Sequence, residues 1–141
     1  MTALPGTDQT CARVVVGVVS MPSPHTPDET VRRVKQAIRA AGATLFCVID
    51  QRDHAVRAGL ELRETRLLLF GSPVSGTAVM TVAPLAAIDL PLKILVWQDD
   101  WEAVWVSYVD AEWLAARHGL APALACPLRA AETIARQAVS P

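Results

Sequence analysis

Short apolar runs with two different spacings alternate along this chain, and each spacing predicts a type of secondary structure. Runs rich in β-branched residues and leucine, too apolar for one-sided surface elements, are typical of strands. They occur at residues 11–20, 44–50, 66–70, 92–98 and 104–109. Because the first run is apolar at almost every position, it is expected to form a central strand.

The second spacing is helical, and it is clearest between the first two strands. Apolar residues recur every three or four positions from Val31 to Ile38, which predicts one buried helix face. Thr26, followed by a proline and two acidic residues, has the pattern of a helix start, and Gly42 suits the left-handed residue that ends a helix.

Weaker helical patterns follow later in the chain. They predict a short helix over 53–59, a helix over 75–88 that is kinked or restarted at Pro84, a helix capped by Asp110 and ending near Gly119, and a last helix over 127–139. The predicted order is β-α-β-(α)-β-α-β-β-α-α. Since short connections require antiparallel pairs, the sequence predicts an α+β fold with two layers: a mostly antiparallel sheet and helices packed on one face.

Length and composition favour one domain over residues 1–141, with 52% hydrophobic residues and a mean hydropathy of +0.30. The most apolar stretch, residues 79–97, contains two prolines, Asp89 and Lys93, so it is not expected to span a membrane. Residues 1–10 lack the basic and apolar regions of a secretory signal. A cytoplasmic location is expected, with no membrane partner.

Charge and cysteine usage narrow the possible partners. Thirteen basic and fourteen acidic residues give a net charge of −1, which argues against a nucleic-acid partner. Cys11, Cys47 and Cys126 are widely separated, so reduced and mostly buried thiols are expected rather than disulfides or a zinc site. His54 and His118 lack metal-binding spacing, and neither a metal nor a cofactor is expected.

Several spaced motifs carry a resemblance to a known family. They are Gly59-Leu60-Glu61-Leu62, the run Leu67–Gly71 followed by Ser72-Pro73, Gly76-Thr77, Asp89-Leu90-Pro91-Leu92-Lys93 with Val96-Trp97, Tyr108-x-Asp110, and Arg117-His118-Gly119-Leu120. Over residues 50–120 the chain resembles the bacterial family called domain of unknown function 302. The resemblance implies a compact α+β domain that pairs as a homodimer and has no assigned activity. Ser72, Val109 and Gln51 stand where that family usually has asparagine or histidine.

Lys93 is the most distinctive candidate for a binding residue. Period-two geometry places it with Leu95 and Trp97 on one sheet face, so a cation lies among large apolar groups. An enclosed ammonium requires a carboxylate or an anionic ligand, and Asp89 is the nearest acid that precedes it. The alternative is a lysine whose stem packs while its ammonium reaches water.

The segment containing Gly71, Ser72, Gly76 and Thr77 is a second candidate, because it lies between a strand and a helix with the glycine spacing of a phosphate loop. It lacks the lysine of a nucleotide triphosphatase. Free backbone N–H groups there could attract an anion, but a tight turn that needs glycine conformations explains the glycines equally well.

Three hypotheses for function follow. The first is a homodimeric binding or sensing module that takes a small anionic or polar ligand in a pocket between the sheet and the Asp89–Lys93 segment, through Lys93, Asp89, Tyr108 and the Gly71, Ser72, Gly76 and Thr77 segment. The second is an enzyme that uses Lys93, Tyr108 and Asp89 or Asp110 as an acid–base set. The third is a protein-interaction domain. The strands over 92–98 and 104–109 are predicted to form a hairpin, and Trp97, Trp101, Trp105 and Trp113 lie in or near it, which favours a subunit contact there.

Overall fold

Five strands form one antiparallel sheet in a computed structural model, which describes residues 14–141. The strands are β1 (Val18–Ser23), β2 (Thr44–Asp50), β3 (Thr65–Gly71), β4 (Leu92–Gln98) and β5 (Val104–Val109), in the order β1-β5-β4-β3-β2. Every neighbouring pair is antiparallel. The α+β fold predicted from the sequence is confirmed.

Six α-helices connect or follow these strands. They are α1 (Pro27–Ala40), α2 (Gln51–Arg57), α3 (Pro73–Val82), α4 (Ala111–His118), α5 (Pro122–Ala125) and α6 (Ala130–Val139). Two 3₁₀ segments, Pro84–Asp89 and Cys126–Arg129, precede β4 and α6. The α1 helix begins as predicted, because Thr26 Oγ1 accepts the Glu29 amide at 3.1 Å, and Gly42 after its end has φ 73°.

One face of the sheet and the helices α1 and α6 make most of the core, to which α4 adds Ala111 and Leu114. Leu68, Phe70, Ile94, Val96 and Val106 have at most 1% exposure, and they pack against the apolar faces of α1 and α6. Burial of such side chains is the main favourable term in folding. The opposite face carries the half-buried side chains Leu67, Leu69, Leu95, Trp97 and Trp105, and we call it the open sheet face.

The first strand departs from its prediction. Residues 11–13 lie outside the described residues, and β1 forms an edge of the sheet rather than its centre. Val14 and Val16, which precede β1, are 97% and 80% exposed. The uniformly apolar run was therefore a misleading sign of a central position, because only alternate residues of β1, such as Val19 and Met21, pack against the core.

The helix expected over 75–88 divides at Pro84, which begins the first 3₁₀ segment. Proline has no N–H to continue a helical ladder, so a restart there was anticipated. The burial pattern is different from the prediction, however: Val79 is buried, whereas Val82, Leu85 and Ile88 are 65%, 82% and 74% exposed. The last helix also begins later than predicted, at Ala130, after the 3₁₀ segment Cys126–Arg129.

The β4–β5 hairpin was predicted, and one carboxylate organises its turn. Asp99 Oδ1 accepts the amides of Trp101 and Ala103 at 2.8 and 3.0 Å, and Oδ2 accepts Trp105 Nε1 at 2.8 Å. Burial raises the pKa of Asp99, but these three hydrogen bonds outweigh it, so the pKa lies below its ordinary value.

The two described cysteines, Cys47 and Cys126, are exposed, and the expectation of buried thiols is wrong for them.

Candidate functional site

A large groove opens between α3, the end of α1 and the start of α6, with a cavity volume of about 960 Å³. Its buried floor includes Phe70, Val79, Leu92 and Leu128. The other lining residues are Ala41, Gly42, Ala43, Phe46, Gly71, Ser72, Pro73, Ser75, Gly76, Thr77, Met80, Leu90, Pro91, Cys126, Pro127, Arg129, Ala130 and Thr133. The lining is thus mostly apolar, with hydroxyl groups along α3 and one guanidinium.

All four residues predicted in the glycine-containing segment line this groove, but they do not form a phosphate loop. Gly71 ends β3, and Gly76 and Thr77 lie inside α3. Ser72 caps that helix, with its Oγ accepting the Ser75 amide at 3.4 Å. Neither Gly71 nor Gly76 has a positive φ, so the expected turn with glycine conformations is also wrong. Gly76 instead leaves space, because an added Cβ would lie 3.8 Å from Met80 Cε.

Arg129 is the one side chain of the groove lining that carries a full charge at neutral pH. It is 47% exposed, and its Nη2 donates to the carboxylate of Glu112 on α4. The hydrogen bond with Glu112 raises the pKa of Arg129. Sequence reasoning missed this residue, because Arg129 lies in a proline- and alanine-rich stretch that has no regular apolar period.

Lys93 and Asp89 face a different and much smaller cavity of about 70 Å³, which Val109 and Trp113 also line. The Nζ of Lys93 donates to the carbonyl oxygens of Pro91 at 2.9 Å and Asp89 at 3.3 Å. Burial lowers the pKa of Lys93, and the charge of Asp89 opposes this only in part. Backbone carbonyls, rather than a carboxylate, therefore hold the ammonium.

The carboxylate of Asp89 is directed to α4 instead. Its Oδ2 lies 2.5 Å from His118 Nε2 and 3.1 Å from Arg117 Nε. The guanidinium of Arg117 also lies 5.6 Å from the ring centroid of Trp113, which is a cation–π distance. Arg117 and His118 both belong to the motif over residues 117–120. The sequence does not predict their contact with Asp89, however, because 29 residues separate His118 from Asp89.

Tyr108 lies on the opposite side of the sheet from Lys93. It pairs with Ile94, so the two share the core face, and only 6% of Tyr108 is exposed. Burial raises the pKa of Tyr108, with Glu132 and Asp110 adding to this effect and Arg136 opposing it. The three members of the proposed acid–base set therefore do not converge.

The prediction of one pocket between the sheet and the Asp89–Lys93 segment is also wrong. The segment between Asp89 and Lys93 borders two cavities: Leu90 and Pro91 line the large groove, Asp89 and Lys93 line the small cavity, and Leu92 lines both. Within residues 14–141, the structure brings Gly71, Ser72, Gly76 and Thr77 together but does not join them to Lys93, Asp89 or Tyr108.

The open sheet face is the other notable surface. Trp97 and Trp105 stack there, with ring centroids 6.2 Å apart. Trp97 Nε1 donates to Ser107 Oγ at 2.8 Å, and Ser107 Oγ lies 2.6 Å from Ser20 Oγ. These three polar groups are paired within the chain, and the half-buried side chains around them are the large apolar groups of this face. Trp101 lies at the hairpin turn and is 68% exposed.

Comparisons with curated proteins give partial matches to much longer chains. The chain is 38% identical over 104 residues to "Fluoride-specific ion channel FluC 1" of Brucella suis biovar 1 (strain 1330), which covers 74% of this chain and 41% of that protein. "Fluoride-specific ion channel FluC 1" of Brucella abortus biovar 1 (strain 9-941) matches with the same identity over 38% of its length. The chain thus spans about two fifths of the length of these relatives. None of the helices described between residues 14 and 141 is long and apolar enough to cross a bilayer.

A solved structure and a family match agree with each other. The crystal structure of the uncharacterized conserved protein DUF302 from Bacillus stearothermophilus superposes with a TM-score of 0.74, covering 89% of this chain and 97% of that one. At 16% identity, this likeness shows a shared fold. Residues 19–138 match the family described as "Domain of unknown function DUF302". The chain therefore belongs to the DUF302 family.

Proposed function

We propose that this chain is a small-molecule-binding module, and that its ligand occupies the groove between α3 and the start of α6. The observation that carries the proposal is the groove itself: about 960 Å³, lined mainly by apolar side chains with a few hydroxyl groups and one guanidinium. Ligand sites in proteins have this size and this mixture of apolar walls and few polar groups.

The ligand differs from the one expected on sequence grounds. Lys93 does not line the groove, and its ammonium donates to two backbone carbonyls. It therefore does not attract an anion into the groove. The groove favours a molecule with a large apolar body and a small polar or anionic end. The alternative of an acid–base enzyme gains no support, since Lys93 and Tyr108 lie on opposite sheet faces.

Filling the groove tests this function. Gly76→Trp places an indole in the groove, whereas Thr81→Trp places one on an exposed position of the same helix. We expect native mass spectrometry to detect a small molecule that co-purifies with the wild type and with Thr81→Trp but not with Gly76→Trp. A bound mass retained by folded Gly76→Trp would place the ligand elsewhere and refute the proposal.

Pairing of two copies through the open sheet face is the second part of the proposal. Five large apolar side chains lie half-buried there, on the sheet face opposite the core. Symmetric dimers commonly bury such a patch against its own copy. Light scattering should give twice the 15.1 kDa of one chain. Leu95→Glu should give monomers, whereas Val82→Glu, exposed on α3, should not; a monomeric wild type at micromolar concentration would refute the pairing.

A second candidate function comes from the relatives named as fluoride channels. Since this chain matches only part of them, it would correspond to an accessory domain attached to a channel. The open sheet face would then bind the channel rather than a second copy, as in the interaction-domain hypothesis. Co-purification of this chain with a separately expressed channel segment of the Brucella suis protein tests that candidate, and loss of the complex in Leu95→Glu is the expected control. A cytoplasmic location stays a prediction.

A further inference from the structure

The groove has an unequal distribution of charge that indicates a class of ligand. Of its 22 described lining residues, Arg129 alone is charged at neutral pH, and no aspartate or glutamate faces the cavity. A cation at the edge of an apolar cavity attracts a ligand that carries one negative charge on an apolar body. Arginine suits a carboxylate especially well, because its planar N–H groups can donate two parallel hydrogen bonds.

We infer that the groove binds an amphiphilic monoanion of the fatty-acid type, with its carboxylate at Arg129 and its apolar body against Phe46, Met80, Leu90 and Pro91. This inference rests on the proposed function of the groove and adds the class of ligand. Phe46 is 50% exposed and the other three are half-buried, so an alkyl chain lying against them would remove apolar surface from water. The groove is large enough for such a chain. Gly76 has no side chain, so it leaves space for the ligand on the α3 side of the groove.

Glu112 gives the inference a distinctive consequence. Its carboxylate already accepts from Arg129, and it is 63% exposed on α4, outside the groove lining. A guanidinium has five N–H donors, so one surface carboxylate does not exhaust its capacity. A ligand carboxylate would nevertheless compete with Glu112 and be repelled by it. Removal of the Glu112 charge should therefore strengthen binding of an anion, whereas removal of the Arg129 charge should weaken it.

Three probes with the same alkyl chain separate charge recognition from simple burial: decanoate, decan-1-ol and decyltrimethylammonium. Calorimetric titration of the full chain should give the highest affinity for decanoate. Arg129→Gln should lower decanoate affinity on the order of ten-fold, the loss of one charge-assisted hydrogen bond. Glu112→Gln should raise it about three-fold, as expected for relief from an exposed like charge. Neither variant should change decan-1-ol affinity, and added salt should reduce the decanoate preference.

The outcomes distinguish the class of ligand from the function of the groove. Equal affinities for decanoate and decan-1-ol in all variants, with binding lost in Gly76→Trp, would overturn the inference and leave a neutral-ligand groove. A preference for decyltrimethylammonium would overturn it as well. The absence of binding by all three probes would overturn the inference alone. Binding that persists in folded Gly76→Trp would refute both the inference and the proposed function.

Discussion

The Asp89 carboxylate lies 2.5 Å from His118 Nε2, and this contact ties the 3₁₀ segment before β4 to the end of α4. Leu90 and Pro91 directly follow Asp89 and line the large groove. The pair therefore fixes the position of this part of the groove wall. His118 has only 10% side-chain exposure, so loss of its partner would leave a buried polar ring.

The contact should therefore be measurable as a coupling. Asp89→Asn and His118→Gln should each lower the free energy of unfolding by about 1–2 kcal/mol, the cost of leaving a partly buried polar group unpaired. In a double-mutant cycle by urea denaturation, the double variant should lose less than the sum, with a coupling of about 1 kcal/mol. The exposed pair Asp53–Arg57 provides the control and should show a coupling near zero. Fully additive losses at Asp89 and His118 would contradict this role.

Lys93→Met should give a protein that is as stable as the wild type or more stable. The lowered pKa of Lys93 shows that burial disfavours its charged form, and replacing ions by apolar groups is often stabilising by about 1–4 kcal/mol. Because Lys93 is only half-buried, the gain should lie at the low end of that range. Urea denaturation measures it, and decanoate affinity should be unchanged because Lys93 does not line the groove. Unfolding of this variant would show that the two hydrogen bonds from Lys93 Nζ to backbone carbonyls are essential for the fold.

Asp99 should contribute stability that depends on pH. Its folded pKa lies below the unfolded value of about 3.9, so the contribution is complete above that pH and is lost as pH falls through the folded pKa. Asp99→Asn should thus be destabilised by about 1–3 kcal/mol at pH 7. The gap to the wild type should narrow in urea titrations as the pH is lowered below about 3.9. Asp100→Asn, whose side chain is 85% exposed, serves as the control. A gap that does not change with pH would contradict the prediction.

Asp110 was predicted to be structural, and its Oδ2 accepts the Trp113 amide at 3.1 Å at the start of α4. Asp110→Ala should lower the free energy of unfolding by about 0.5–2 kcal/mol, the usual cost of removing a helix cap. Thermal denaturation measures this, with Glu61→Ala, on an exposed loop residue, as the control. An Asp110→Ala protein with unchanged stability but lost ligand affinity would instead assign Asp110 to the site.

The sequence predicts the fold well because its signals are local. The start of α1 at Thr26, the hairpin turn at Asp99 and the cap at Asp110 each depend on residues within four positions. The edge position of β1 was not predictable, because strand order is set by pairing with β5, far along the chain. An apolar run indicates a strand, but it does not indicate which neighbouring strand pairs with it.

The candidate site was predicted only in part, for the same reason. The Gly71–Thr77 portion of the groove is contiguous in sequence, and it was identified, although as a loop rather than a helix start. Arg129 and the end of α1 reach the groove only through packing of α6 on α1, which no local spacing encodes. Lys93 looked like a ligand residue because an isolated cation in a strand has no local partner, whereas the folded chain provides two carbonyl oxygens.

Backbone amide and indole NMR spectra recorded during a decanoate titration locate the bound molecule on the protein, and they show whether it occupies the groove. We expect saturable shifts at Gly42, Gly76 and Ala130, which surround the groove, and little change at the indole N–H groups of Trp97 and Trp105 on the open sheet face. Saturable shifts confined to those two indoles, with the amides of Gly42, Gly76 and Ala130 unchanged, would show that the groove is not the binding site.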